Sequence, residues 1–279
     1  MKRLGFILFV ALSLTWVACV RTDGFSVALI EAPLLKGSSL PLSLAGEKAL
    51  SQPFHYLSKG RQCFVFESED GKYVLKFFNQ KYLKMPWYAF LPLVHEKEKA
   101  KRAKRRHFYL HSYELAFREF GEEILYLHLG PAQEKLPILQ ATDKAKRSFL
   151  MDLNQFPFVL QRKGIPLYTA LSAVYEKEGM EGLCREIDFF VDAVASRIEK
   201  HIADSDRDVE HNWGVIDGHL FHLDPGRLHM DERLVCPIQQ KTEWWSATDR
   251  FRDWLEELSP EAAVYLDQRI LMRSSVGSR

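Results

Sequence analysis

The stretch Tyr73-Val-Leu-Lys-Phe-Phe78 limits the fold more than any other, because it sets a lysine in the middle of an apolar strand. Alternation puts Lys76 on the face opposite Leu75 and Phe77, with Val74 and Phe78 as its same-face neighbours. An ammonium in that company needs an anionic partner or must give up its charge. Just upstream, Cys63-Phe-Val-Phe66 and the turn residues Glu69-Asp-Gly-Lys72 complete a hairpin within Phe54 to Phe78. The pattern predicts a sheet whose lysine either lies on an edge strand with its head in water or is kept for an anion such as phosphate.

The helix expected next, Glu96 to Phe120, is charged early and apolar later at Leu110, Tyr113, Phe117 and Phe120. Its acids Glu114 and Glu119 are candidate partners for Lys76, and the mid-helix Glu114 is preferred. Strands follow over Ile124 to Leu129, Leu136 to Ala141, Ser148 to Leu153 and Phe158 to Arg162. After Pro166 the pattern turns helical over Leu167 to Glu178 and Met180 to Ile202, the latter aligning Leu183, Ile187, Phe190, Val194 and Ile198. A short hairpin around Asp217-Gly218 spans Asn212 to Leu228, and Glu243 to Met272 is again helical. A sheet-rich part followed by a helix-rich part is α+β, expected as two lobes: 54–163 and 164–279.

The N-terminus reads differently. Lys2 and Arg3 precede an apolar run from Leu4 to Val20, the pattern of a signal peptide or membrane anchor over residues 1–20. An exported or membrane-anchored protein is expected, with a cytoplasmic one as the alternative. Residues 21–53, rich in Ser, Leu, Pro and Gly, read as a linker. Lys+Arg total 38 against 37 Asp+Glu, so no global field favours nucleic acid and no specific nucleic-acid partner is expected. The local run Lys97 to Arg106 holds seven basic residues against one acidic. It is either a solvated helix face or a contact with an anionic membrane surface. The four cysteines are widely spaced, which excludes a zinc ribbon and leaves room for one disulfide. His219, His222 and His229 lack ligand spacing and read as structural.

Four features fall in one order: Gly60 in the loop Ser58-Lys-Gly-Arg-Gln-Cys63, Lys76 on its strand, the acidic helix, then Asp204-Ser-Asp-Arg-Asp-Val-Glu-His-Asn212 followed by Leu223-Asp-Pro-Gly226. That order resembles the protein-kinase-like phosphotransferases. The match runs over about residues 54–230 and looks like a divergent bacterial branch of that fold. The resemblance implies a two-lobed kinase-like fold, ATP and Mg²⁺ as cofactors, and a protein, sugar or lipid acceptor. It further implies that Gly60 and Lys76 meet the phosphates, with Glu114 supporting Lys76. Adenine would lie near Gln161 and Arg162, held by main-chain groups up to Gly164. Asn212 and Asp224 would hold the metal, and Asp206 would orient the attacking hydroxyl, with Asp204 and Asp208 as rivals.

This chain departs from the family pattern. Asp206 lies six residues before Asn212 where the family has five, and Arg207 stands at that place. The loop has one glycine rather than three, no His-Arg-Asp triplet occurs, and Asp-Pro-Gly replaces Asp-Phe-Gly. A catalytically weak or inactive pseudokinase, acting as a binding or scaffold module, is therefore the alternative function.

Overall fold

The structure is a computed structural model, and it describes residues 20–31, 41–130 and 135–276. The apolar leader falls on residues 1–19 and lies outside the described residues, Val20 excepted. No helix among the described residues is long and apolar enough to cross a membrane. The chain divides into two compact units, one of residues 1–107 and 121–163, the other of residues 108–120 and 164–279. The fold is α+β.

The first unit is built on a seven-stranded sheet. In chain order its strands are β1 (Phe54–Lys59), β2 (Cys63–Ser68), β3 (Tyr73–Phe78), β4 (Ile124–His128), β5 (Ile138–Thr142), β6 (Ser148–Asp152) and β7 (Phe158–Arg162). Their spatial order is β4-β7-β3-β2-β1-β5-β6. Only the β1–β5 pairing is parallel. One face is a core rich in phenylalanine: Phe54, Phe64, Phe66, Phe77 and Phe158, with Leu75 and Leu160. These positions alternate along each strand, the period-two signature of a sheet with one principal packed face.

The stretch read as a linker contributes to that core. Phe25 is 4 % exposed and packs edge-on against Phe64 and Phe66, while Ile30 and Ala49 are fully buried. A short helix α1 (Leu44–Leu50) starts at Ser43, whose hydroxyl accepts the Gly46 N–H. Its Ser, Leu and Gly content suggested loose chain; the buried apolar positions and the capping serine instead make it packed structure. The next helix, α2 (Pro92–Phe120), begins four residues earlier than expected, with Pro92 at its first turn. Its residues to His107 belong to the first unit and those from Phe108 to the second.

In the second unit the long helix α3 (Leu167–Glu199) is interrupted at Gly179, whose φ of 66° is non-helical. The sequence break between Glu178 and Met180 falls at that point. The helix stops three residues before the expected end, because His201 takes a left-handed φ of 57° and Ile202 enters a strand. Strand β8 (Ile165–Pro166) pairs with β10 (Trp213–Ile216), which pairs with β11 (His219–His222), while β9 (Ile202–Asp204) pairs with β12 (Leu228–Met230). A four-residue helix α4 (Val209–Asn212) precedes β10. The final helical stretch is two helices, α5 (Pro237–Leu258) and α6 (Pro260–Val276). Pro260 divides them by forcing the preceding Ser259 into extended backbone, φ −159° and ψ 113°. Their core joins Leu183, Ile187, Phe190 and Val194 of α3 to Phe251 and Leu255 of α5 and Leu266 of α6.

Replacing Phe25→Ala should destabilise the first unit by about 3 kcal/mol in equilibrium urea unfolding, as for other buried aromatics. A loss below about 0.5 kcal/mol, the size of an ordinary surface change, would mean that this segment does not pack on the sheet.

Candidate functional site

The residues singled out by sequence divide between the units. Gly60, Lys76, Gln161 and Arg162 belong to the first, and Glu114, Asp206, Asn212 and Asp224 to the second.

In the first unit, Lys76 sits on β3, paired with Val65 of β2 and Val159 of β7, so it lies in the interior of the sheet. It is 7 % exposed. Leu75 and Phe77 enter the phenylalanine core, so Lys76 is on the other face with Val74 and Phe78. Gly60 closes the β1–β2 turn by donating its N–H to the Cys63 carbonyl, 2.9 Å away. A Cβ there would come no nearer than 3.8 Å to that oxygen, so packing does not require glycine. Gln161 is buried on β7 between Val74 and Ile124. Arg162 faces Glu123 at 3.5 Å. Of the main-chain donors expected for adenine, the Lys163 N–H is already given to the Lys72 carbonyl at 2.8 Å. Cys63 is a buried free thiol, and Cys184 and Cys236 are also unbridged.

In the second unit the sequence brings two oxygen-bearing side chains to the ends of one hairpin. Strands β10 and β11 pair with Trp213 opposite His222, joined by Asp217 and Gly218, both at positive φ. Continuing that ladder, the Asn212 carbonyl accepts the N–H groups of Leu223 at 2.8 Å and Asp224 at 3.3 Å. Asp224 Oδ1 accepts from the Tyr113 hydroxyl and from the Gly226 N–H, each at 3.1 Å. Asn212 is 6 % exposed. A carboxamide and a carboxylate are hard oxygen donors of the kind Mg²⁺ accepts alongside phosphate oxygens, and the pair fits that ion. Among the described residues no three of His, Cys, Asp and Glu gather as a metal site by themselves.

The three aspartates before Asn212 do different things. Asp208 caps α4, accepting the His211 N–H and ring Nδ1. Asp206 accepts the Asp208 N–H and pairs with Arg227 Nε at 3.4 Å, which ties it to the residue after Asp-Pro-Gly. Asp204 accepts the Asp206 N–H at 2.8 Å. Burial pushes its carboxyl up to about 7, against the opposing pull of the Arg197 guanidinium. That guanidinium is 1 % exposed and donates to the Ile202 carbonyl at 2.9 Å and to Glu243 at 2.6 Å. Glu243 in turn accepts the Asp204 N–H. Of the two acids weighed for Lys76, Glu119 is engaged by Arg118 at 2.9 Å and Lys200 at 3.3 Å, while Glu114 is half-buried.

Sequence reasoning missed two members of this group. Tyr113 was read only as an apolar helix position, although a hydroxyl among phenylalanines on one helix face is a signal for a buried acceptor. Arg227 directly follows the Asp-Pro-Gly turn and could have been read as a counter-charge. His222, expected to be structural, is buried against Trp213 and Phe120. Desolvation lowers its ring to about 3.

No family model matches the chain. No curated protein matches it either. Solved structures do. A structure of the bifunctional kinase-methyltransferase WbdD is 16 % identical with a TM-score of 0.36, covering 77 % of this chain and 43 % of that one. A co-crystal of WbdD with the kinase inhibitor LY294002 is 15 % identical with a TM-score of 0.35, covering 79 % and 45 %. The chain thus spans less than half of those chains, and at this TM-score the likeness carries no argument about activity.

Asp204 has a higher carboxyl pKa folded than unfolded, so the folded state holds a proton that the unfolded state has lost between about pH 4 and 7. Stability from this group is present at low pH and falls as pH rises toward 7. Asp204→Asn mimics the protonated form. Its melting temperature should therefore exceed wild type at pH 8 and lose that advantage by pH 5. A difference that stays flat across that range would remove Asp204 as the titrating group.

Proposed function

We propose that the protein is an ATP- and Mg²⁺-dependent phosphotransferase of kinase type. The observation that carries this reading is the pairing of Asn212 and Asp224 at the ends of one hairpin, with Asp206 drawn to the same turn through Arg227. Phosphoryl transfer asks for little covalent work from the protein; it asks for charge neutralisation and positioning. Mg²⁺ would supply the charge that offsets the β- and γ-phosphate oxygens, held by the Asn212 carboxamide and the Asp224 carboxylate. The Tyr113 hydroxyl and Gly226 N–H fix the Asp224 carboxylate through Oδ1. Lys76 would neutralise phosphate charge from its sheet, with Glu114 as supporting acid, and Gly60 would let the β1–β2 turn come close to the phosphates. Gln161 and Arg162 would border adenine. Asp206 would orient the acceptor hydroxyl of a protein, sugar or lipid. The leader at residues 1–20 would export or anchor the chain.

A second reading has its own support. Asp206 is held by Arg227 and the Asp208 N–H, and it lies one residue too far from Asn212 for the family pattern. A module that binds nucleotide without transferring phosphate fits those facts.

Thermal shift with ATP and MgCl₂ tests the shared part of both readings. At ATP a hundredfold above its Kd, linkage contributes about 2.7 kcal/mol, enough to raise Tm by several degrees. Asp224→Asn and Lys76→Met should each abolish the rise, and Gly60→Ala should reduce it while leaving the unliganded Tm unchanged. Absence of any rise in wild type would end the nucleotide reading. Where ATP stabilises, transfer of labelled γ-phosphate to bacterial extract or to the protein itself separates a kinase from a pseudokinase.

A further inference from the structure

The basic run on α2 does not stand alone in the first unit. Residues 80–91 lie along the helix, clasped at both ends: Arg102 and Arg105 donate to the Tyr82 carbonyl at 2.8 and 3.2 Å, and His95 Nδ1 meets the Ala89 carbonyl at 3.0 Å. Tyr82 is thus level with residues 102–105 and Ala89 with residue 95, so the segment runs antiparallel to the helix. His95, Glu98, Arg102 and Arg105 share the helix face turned to it. The one acid of the run, Glu98, is buried and paired with Arg102 at 3.2 Å and Lys101 at 3.4 Å.

Two kinds of exposed chemistry flank this clasp. Lys97, Lys101 and Lys104 recur at i, i+4 and i+7 as one exposed stripe. Lys97, Lys104 and Arg106 have no acidic partner among the described residues, and the first turn of the helix has no acid. Beside them the segment exposes Met85 and Tyr88, each 41 %, Phe90, 71 %, and Leu91, 46 %. The helix by itself does not separate an apolar from a charged side; the segment supplies the apolar part.

We propose that this surface docks on an anionic lipid bilayer, with Phe90, Leu91, Met85 and Tyr88 entering the boundary of headgroups and acyl chains and the lysine stripe lying over anionic headgroups. The pairing of chemistries selects this occupant. Lys97 and Lys104, unmatched by acids among the described residues, attract an anionic surface, and aliphatic Met85 and Leu91 gain from acyl chains what they could not gain by stacking on nucleic-acid bases. This inference goes beyond the phosphotransferase reading and does not depend on it.

Vesicle co-sedimentation of the full chain tests it, comparing phosphatidylserine-containing with pure phosphatidylcholine vesicles at about 0.15 M ionic strength. Wild type should bind the anionic vesicles at least tenfold more tightly. Lys97→Gln, Lys101→Gln and Lys104→Gln together should weaken binding about a hundredfold, roughly fivefold for each lysine. Phe90→Ser with Leu91→Ser should weaken it several-fold while leaving the salt dependence in place. Circular dichroism melts confirm that each variant folds, and Lys97→Gln with Lys104→Gln serves if the triple variant does not. All variants keep residues 1–19, so any loss belongs to this surface. Equal binding to both vesicle types, unchanged binding by the lysine variants, or binding to RNA or heparin but not to vesicles would overturn the proposal.

Discussion

The carbonyl of Asn212 governs the second unit's candidate chemistry. By accepting the N–H groups of both Leu223 and Asp224, it fastens the two ends of the β10–β11 hairpin and brings the residues that bear a carboxamide and a carboxylate to its open end. Two four-residue strands and a two-residue turn leave little choice: residues 212 and 223 must face each other once Trp213 pairs with His222. The hairpin also leaves no room for error on its other edge. A Cβ on Gly214 would approach the Ile165 carbonyl to 2.9 Å and Leu223 to 2.7 Å, so glycine lets β8 and the 223 turn close on β10.

A buried charge network holds the start of the aspartate loop to two helices. Arg197 projects from α3 into the interior and would be costly there without partners, since an uncompensated buried charge costs several kcal/mol. Its Nη1 donates to the Ile202 carbonyl and to Glu243, whose carboxylate offsets the charge and also accepts the Asp204 N–H, so one carboxylate from α5 joins α3 to β9. The same burial that strengthens these contacts displaces two titrations in opposite senses. Asp204 favours its proton in the folded state and His222 refuses one. Between about pH 4 and 6.5 their contributions to the pH dependence of stability have opposite sign and offset each other.

Much of this was legible in sequence where local rules decide. The Phe158–Arg162 strand, the Tyr73–Phe78 strand and the Asp217-Gly218 turn fall where periodicity and turn chemistry put them. The failures have identifiable causes. Residues 21–53 read as linker because apolar positions such as Phe25, Ile30 and Ala49 are sparse and separated by small residues, and the core that these three join is made by strands distant in sequence. The end of α3 was misplaced because His201, not glycine, takes the left-handed position. The Ser259–Pro260 break was a readable signal that apolar periodicity on both sides concealed. Of the candidate site, the closeness in chain of Asn212 and Asp224 to one hairpin was legible, whereas the Tyr113 hydroxyl and the Arg227 guanidinium carried weaker signals that only their contacts with Asp224 and Asp206 bring out.

Lys76 is the only charged residue of β3 and lies in the interior of its sheet. Its neighbours across the strands are Val65 and Val159, and its same-face neighbours along β3 are Val74 and Phe78. An ammonium 7 % exposed bears a desolvation cost that a valine in its place would not. The other buried cation, Arg197, is explained by contacts that join three elements of its own unit. Under the proposed reading, phosphate charge would offset part of the cost of keeping an ammonium inside that sheet.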